Sequence, residues 1–259
     1  MMDYEGFKKV ILDLTTIDLN SYKEKQMKRR IDSLIRKNGY DTYDEYVKVI
    51  KVNTILYSEF INYLTINVSE FYRNPEQWRV LESEIIPILI KKFKEVRVWS
   101  SACSTGDEPY TLVMVLNKFI PLNNIKILAT DIDNGALEKA KAGIYSSKSL
   151  ENLPEEFKRK FFTQSGDTYK VTDELKRCVE FRRHNLLRDA YPQDLNLIVC
   201  RNVLIYFTEE AKVDIYKKFN RSLVNEGILF VGSTEQIILA NKYNLKPVRT
   251  FFYVKDGNI

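Results

Sequence analysis

The sequence is poor in histidine and cysteine, two side chains that carry much acid–base, nucleophilic and metal chemistry. It has a single histidine, His184, in 259 residues. A Cys/His zinc site is nearly excluded, and so is a histidine-dependent triad unless His184 carries it. His184 sits between arginines and "NLL", a setting that favours a structural role. The three cysteines, Cys103, Cys178 and Cys200, show no C-x-x-C spacing and are odd in number. They read as buried thiols in a reducing compartment.

Long apolar runs are also missing. Stretches such as "IIPILI" are far too short to span a bilayer, and the acidic start "MMDYEGFKKV" lacks the pattern of a secretory signal. A soluble, cytoplasmic protein without membrane insertion is expected. With 40 basic and 35 acidic residues, the surplus of five is too small to announce a nucleic-acid binder, so any basic partner site must be local. A hydrophobic fraction of 44% supports a sizeable core in one large domain or two modest ones.

Residues 1–66 read as a helical N-terminal domain. In "SYKEKQMKRRIDSLIRKNGY", Ser21 is the expected N-cap and Gly39 the stop. Met27, Ile31 and Leu34 mark one apolar face. Residues 21–40 carry seven basic and two acidic residues, Lys25, Lys28, Arg29 and Arg36 among the former, so this stretch alone equals the positive surplus of the whole chain. This stripe is either a solvated face or a dock for an acidic helix or nucleic acid.

Residues 67–93 form a polar bridge, "NVSEFYRNPEQW", and a helix. From residue 94 the pattern alternates strand and helix, which predicts an α/β domain with a mostly parallel sheet covered on both faces. A polar hairpin is expected as an insertion at about 162–181.

Ligands of such sheets bind at the carboxyl ends of the strands. The first such turn, "STGDEPY", is not G-x-G-x-x-G and offers no glycine path for a pyrophosphate. It carries Asp107 and Glu108, which suit a cationic ligand. Asp131 follows the second strand 25 residues after Gly106, where an acid can accept ribose hydroxyls. Of Asp131 and Asp133, one is expected to cap the next helix and the other to remain for a ligand. Together these features fit S-adenosylmethionine (SAM) better than NAD or ATP.

Several long motifs in order, "TINVSEFYRNP", "WSSACSTGDEPYTL", "ILATDIDNGALEKAKAGIY", "HNLL", "LIVCRNVLIYF" and "LFVGSTEQ", resemble the chemotaxis receptor glutamate methyltransferases, the CheR family. The resemblance covers nearly the whole chain. It implies an all-α N-terminal domain, a Rossmann-like SAM-dependent methyltransferase sheet with an antiparallel last strand, and a small β-subdomain. The implied reaction moves a methyl group from SAM to glutamate side chains of receptor helices, giving γ-methyl esters and S-adenosylhomocysteine (SAH).

By motif, the resemblance places Asn67, Ser69 and Arg73 at the site. It assigns Glu108 and Asp131 to the methionine and ribose parts, and Asn185 and Leu186 to the adenine. Arg201 and Asn202 join the cofactor-binding set, and Arg73 and Tyr206 face the reacting centre. The implied partner is the cytoplasmic helical domain of methyl-accepting receptors; the basic helix itself suggests Lys25, Lys28, Arg29 and Arg36 as its dock, and with no obvious partner domain a monomer is expected. Ser69, Tyr72, Asp107 and Ser233-Thr234 depart mildly from the family pattern. The short "FTQSGDTYKV" hairpin is expected not to grip a receptor-terminal pentapeptide, as some members do. Two alternatives stay open. One is a methyltransferase of nucleic acid, disfavoured because Arg201-Asn202-Val203-Leu204 replaces an Asn-Pro-Pro-aromatic motif. The other is a non-catalytic SAM-sensing adaptor.

Overall fold

The computed structural model describes residues 2–257. The chain divides into two compact units, one running to Asn67 with Tyr206–Asp214 added, the other comprising Val68–Ile205 and the rest.

The first unit is helical. Its helices span Tyr4–Thr15, Glu24–Lys37, Tyr43–Ile50 and Thr54–Thr65. Side-chain caps fix three of the starts. Asp3 accepts from Gly6 N, Asn53 accepts from Ile55 N and Leu56 N, and Thr42 with Glu45 forms a reciprocal capping box. Phe7, Ile11, Ile31, Leu34, Tyr46 and Phe60 are buried together as its apolar interior. Ser21 is not the cap of the basic helix. It ends a 3-10 turn, Leu19–Ser21, held by the Asp18 side chain, and the helix begins at Glu24 with no side-chain cap. Tyr22 and Lys23 are extended instead, because Lys23 N donates to Tyr206 O and Thr208 N to Ser21 O.

The second unit holds two sheets. The large one contains β1 (Val98–Ser100), β2 (Ile127–Asp131), β6 (Val179–Arg183), β7 (Leu195–Cys200), β8 (Leu223–Val231), β9 (Leu245–Arg249) and β10 (Phe252–Lys255). Between β2 and β6 in sequence lie β3 (Ile144–Ser146), β4 (Phe162–Ser165) and β5 (Thr168–Val171), which form the small sheet. The large sheet has the order β6-β2-β1-β7-β8-β10-β9. Its pairs are parallel through β8, and β10 runs antiparallel to both of its neighbours. All six residues of β7 are buried, the expected state of a strand covered on both faces. The helix Asp107–Leu116 is buried along nearly its whole length, in keeping with an apolar circumference.

The small antiparallel sheet, β3-β5-β4, starts earlier than residues 162–181, because Ile144–Ser146 supplies a third strand. Its other expected end, Val179–Arg183, belongs to the large sheet. β4 and β5 are joined by Gly166 and Asp167 alone, with Gly166 at φ 57°. The strand order reverses at β1, between β2 and β7. That is the switch point at which a parallel sheet opens a crevice for ligand. The turns after β1, β2 and β7 meet there.

Candidate active site

The turn after β1 is pinned to both neighbouring strands. Ser101 N donates to Val199 O and Cys103 N to Thr130 O, each at 2.9 Å. Gly106 adopts φ 92°, and a Cβ there would lie 2.8 Å from Ala140 Cβ, so both conformation and space demand glycine. The two acids that follow diverge. Asp107 is buried, accepting from Thr105 Oγ1 at 2.6 Å and from the Ser69 hydroxyl, and burial pushes its carboxyl up. It ties the bridge to the turn rather than facing a ligand. Glu108 stays at the crevice. It accepts from Ser100 Oγ at 2.8 Å and lies 3.5 Å from Arg201 Nη1. Burial raises its carboxyl and the guanidinium opposes that rise.

After β2 the roles of the two aspartates separate. Asp133 caps the helix Asn134–Ala142, accepting from Gly135 N and Ala136 N. Asp131 is buried at the strand end, with Ser104 N donating to Oδ2 at 2.8 Å and Asp133 N to Oδ1 at 3.0 Å. Burial pushes its carboxyl up to about 6 despite these amides. The Asp131 carbonyl accepts from His184 N at 2.9 Å, which brings the His184–Leu186 segment beside the same strand end. Asn185 and Leu186 are both buried there. His184 packs edge-on to Trp99 and Tyr191, with its Nε2 3.2 Å from Ala190 O, a structural setting.

The bridge is bent around Arg73. Its flanking residues Tyr72 and Asn74 have φ of 56° and 59°, a left-handed conformation that is unusual for these side chains. The turn is held from within. Trp78 Nε1 donates to Arg73 O at 2.9 Å, and Arg201 Nη2 donates to Arg73 O at 2.7 Å and to Gln77 Oε1 at 2.9 Å. Arg201 is buried, with its guanidinium over the rings of Trp78 and Phe230. Its contacts in this structure are thus structural. The Arg73 side chain is half-buried and donates to Val68 O at 3.1 Å, and no carboxylate among the described residues pairs with it.

Asn202, at φ 61°, begins the loop after β7. That loop is gripped by Glu235, a buried carboxylate that sequence motifs did not single out although "LFVGSTEQ" contains it. The remaining expected residues, Asn67 and Tyr206, belong to the helical unit. Asn67 Nδ2 donates to Thr65 Oγ1 at 3.0 Å, and the Tyr206 carbonyl accepts from Lys23 N at 2.9 Å.

Ser69, Arg73, Glu108, Asp131, Asn185, Leu186, Arg201 and Asn202 therefore all lie on or beside the strand-end turns of the sheet unit. The donor set fits SAM. Two carboxylates at adjacent strand ends suit a cationic nucleoside, and no pyrophosphate-binding glycine turn accompanies them. A parallel sheet with this strand order, an antiparallel β10 and these acids define a SAM-dependent methyltransferase.

Comparison with known families agrees. Residues 67–252 match the CheR methyltransferase SAM-binding domain, and residues 2–65 match the CheR methyltransferase all-alpha domain. The chain belongs to the CheR methyltransferase family. It is 45% identical over 254 residues to a chemotaxis protein methyltransferase of Listeria innocua, covering 98% of this chain and 97% of that one. The protein of the same name in Listeria monocytogenes is 44% identical with the same coverage. That of Borreliella burgdorferi is 33% identical, over 96% of this chain and 92% of the relative.

Proposed function

We propose that this enzyme methylates glutamate side chains on the cytoplasmic helical domain of chemotaxis receptors, with Arg73 receiving the acceptor carboxylate. The observation that carries the reading is a guanidinium with no acidic partner among the described residues, held at the strand-end crevice by a turn that Arg201 and Trp78 fix from behind. Arginine's planar fork matches a carboxylate in geometry and charge.

Bound SAM would supply an electrophilic methyl group on a cationic sulfur, and its transfer to a carboxylate unites opposite charges into neutral products. A glutamate with an ordinary pKa of about 4.3 is ionised at neutral pH, so the protein needs no general base. This suits a chain with one histidine, held in a structural role. The work left to the residues is alignment, which supplies roughly 7–11 kcal/mol in ideal cases. Asp131 would accept ribose hydroxyls, and Glu108 would face the methionine part. Asn67, Ser69, Asn185, Leu186, Arg201 and Asn202 would complete the cofactor's surroundings, with Tyr206 orienting the reacting groups. Ser69 and Arg201 do so while also tying the bridge in place.

Lys25, Arg29 and Arg36 are exposed on one stripe of the basic helix, and Lys28 shares it while pairing with Asp32 at 3.2 Å. This stripe would dock the acidic receptor helix in the cytoplasm. No helix among the described residues is long and apolar enough to cross a membrane. The test is transfer of labelled methyl from SAM to receptor-rich membranes. Base-labile label supports the ester, while stable label on protein or label on nucleic acid contradicts it.

A further inference from the structure

Glu235 lies three residues beyond Gly232, in the turn that leaves β8. It is a buried carboxylate with 6% exposure, and it pairs with no cation among the described residues. Its four partners are backbone amides. Oε2 accepts from Asn202 N at 2.6 Å and Gly232 N at 2.9 Å, and Oε1 accepts from Leu204 N at 2.6 Å and Ile205 N at 3.2 Å. Three of these amides belong to the loop after β7. That loop begins with Asn202 in the left-handed region and continues as the 3-10 turn Leu204–Tyr206. A carboxylate buried away from water is costly unless its oxygens are satisfied, and here every donor comes from backbone. The arrangement sets the loop's conformation, since the amides must converge on one carboxylate.

The fit is tight. A Cβ on Gly232 would lie 2.4 Å from Glu235 Oε2 and 2.8 Å from Asn202 N. Glycine at 232 is thus what lets the carboxylate reach the loop. The far end of the same loop is fixed within the helical unit, where Tyr206 O accepts from Lys23 N and Thr208 N donates to Ser21 O.

We propose that Glu235 is a positioning residue for methyl transfer: by gathering the amides of Asn202, Leu204, Ile205 and Gly232, it fixes the loop that presents Asn202 and Tyr206 to the reaction. This rests on the reading that the chain methylates receptor carboxylates. Glu235 touches neither substrate nor cofactor in this scheme. It acts through the loop.

The test is a mutant cycle with Glu235→Gln, Gly232→Ala and Tyr206→Phe, each variant first shown to be folded by circular dichroism and assayed well below its Tm. Glutamine keeps the shape but turns an NH2 group towards two amide donors, and alanine at 232 displaces the carboxylate. Both should lower kcat at saturating SAM and receptor fragment by about one to two orders of magnitude, the scale of a misplacement near 1 Å. Because Glu235 acts through the turn that carries Tyr206, Tyr206→Phe combined with Glu235→Gln should be no slower than the worse single variant. Losses that multiply, or a folded Glu235→Gln with wild-type kcat, overturn the assignment, and so does Tyr206→Phe with wild-type kcat. Should Glu235→Gln not fold, Gly232→Ala takes its place in the cycle, and the same results support or overturn the assignment. Wild-type protein that transfers no methyl group overturns the underlying reading instead, so the two failures are distinguishable.

Discussion

Arg201 and Glu108 form a buried ion pair, Nη1 to Oε2 at 3.5 Å, with side-chain exposures of 2% and 12%. The arginine reaches the Arg73 turn with its other nitrogen, at 2.7 Å from the Arg73 carbonyl. One side chain therefore links Glu108, after β1, to the turn that carries Arg73. Removing Arg201 takes the cation from a buried carboxylate and a donor from three oxygens, Arg73 O, Asn74 Oδ1 and Gln77 Oε1. Arg201→Met is expected to destabilise the protein by roughly 3–5 kcal/mol, the scale of an orphaned buried charge. Urea unfolding measures this. Adding Glu108→Gln should recover part of the loss, and strictly additive losses would show that the pair is not coupled.

Asp131 gives a pH dependence. Ribose hydroxyls donate to a carboxylate best when it is ionised, and this one is pushed up to about 6. SAH affinity should fall as pH drops through that value, by about tenfold at pH 5 if only the ionised form binds. The sign for folding is opposite. A carboxyl whose folded pKa exceeds its unfolded value of 3.8 favours the folded state below that value and loses this contribution as pH rises through about 6. Calorimetric titration of SAH across this range is the measurement. A flat affinity profile would remove Asp131 from the ribose site.

The basic helix predicts a salt effect. Lys25→Glu with Arg29→Glu should raise the apparent KM for receptor and flatten its dependence on ionic strength, because steering by surface charge is screened over roughly 10 Å at 0.1 M salt. SAM affinity should not change, since neither residue lies on the strand-end turns. Wild-type kinetics for the double variant at every salt concentration would leave the stripe merely solvated.

Much of the sheet was legible because its signals are local. The apolar run of β7 and the Asp133-to-Gly143 frame of one helix are each readable within ten or so residues, and the structure places both where the pattern does. The ambiguity between Asp131 and Asp133 was visible too, and hydrogen bonding resolves it. What the sequence hid are relations between distant positions. Arg201 resembles a ligand-binding residue from its motif, but its hydrogen-bond acceptors lie more than 120 residues upstream. Glu235 looks like one of many loop acids until Asn202 folds against it. Ser21 has the chemistry of a cap, yet pairing with 206–208 holds the chain extended and delays the helix. Ile144–Ser146 is too short to announce a strand without β5 beside it.

The central claim is that the acceptor is a glutamate carboxylate received by Arg73. The most direct measurement is peptide mapping by mass spectrometry of a receptor cytoplasmic fragment incubated with SAM and the enzyme, before and after mild alkali. Methyl increments are expected on glutamate side chains, removable by alkali, and nearly absent with Arg73→Ala although that variant binds SAH within a few-fold of wild type. Alkali-stable methyl groups on lysine or another side chain, or undiminished glutamate esters with Arg73→Ala, would contradict it.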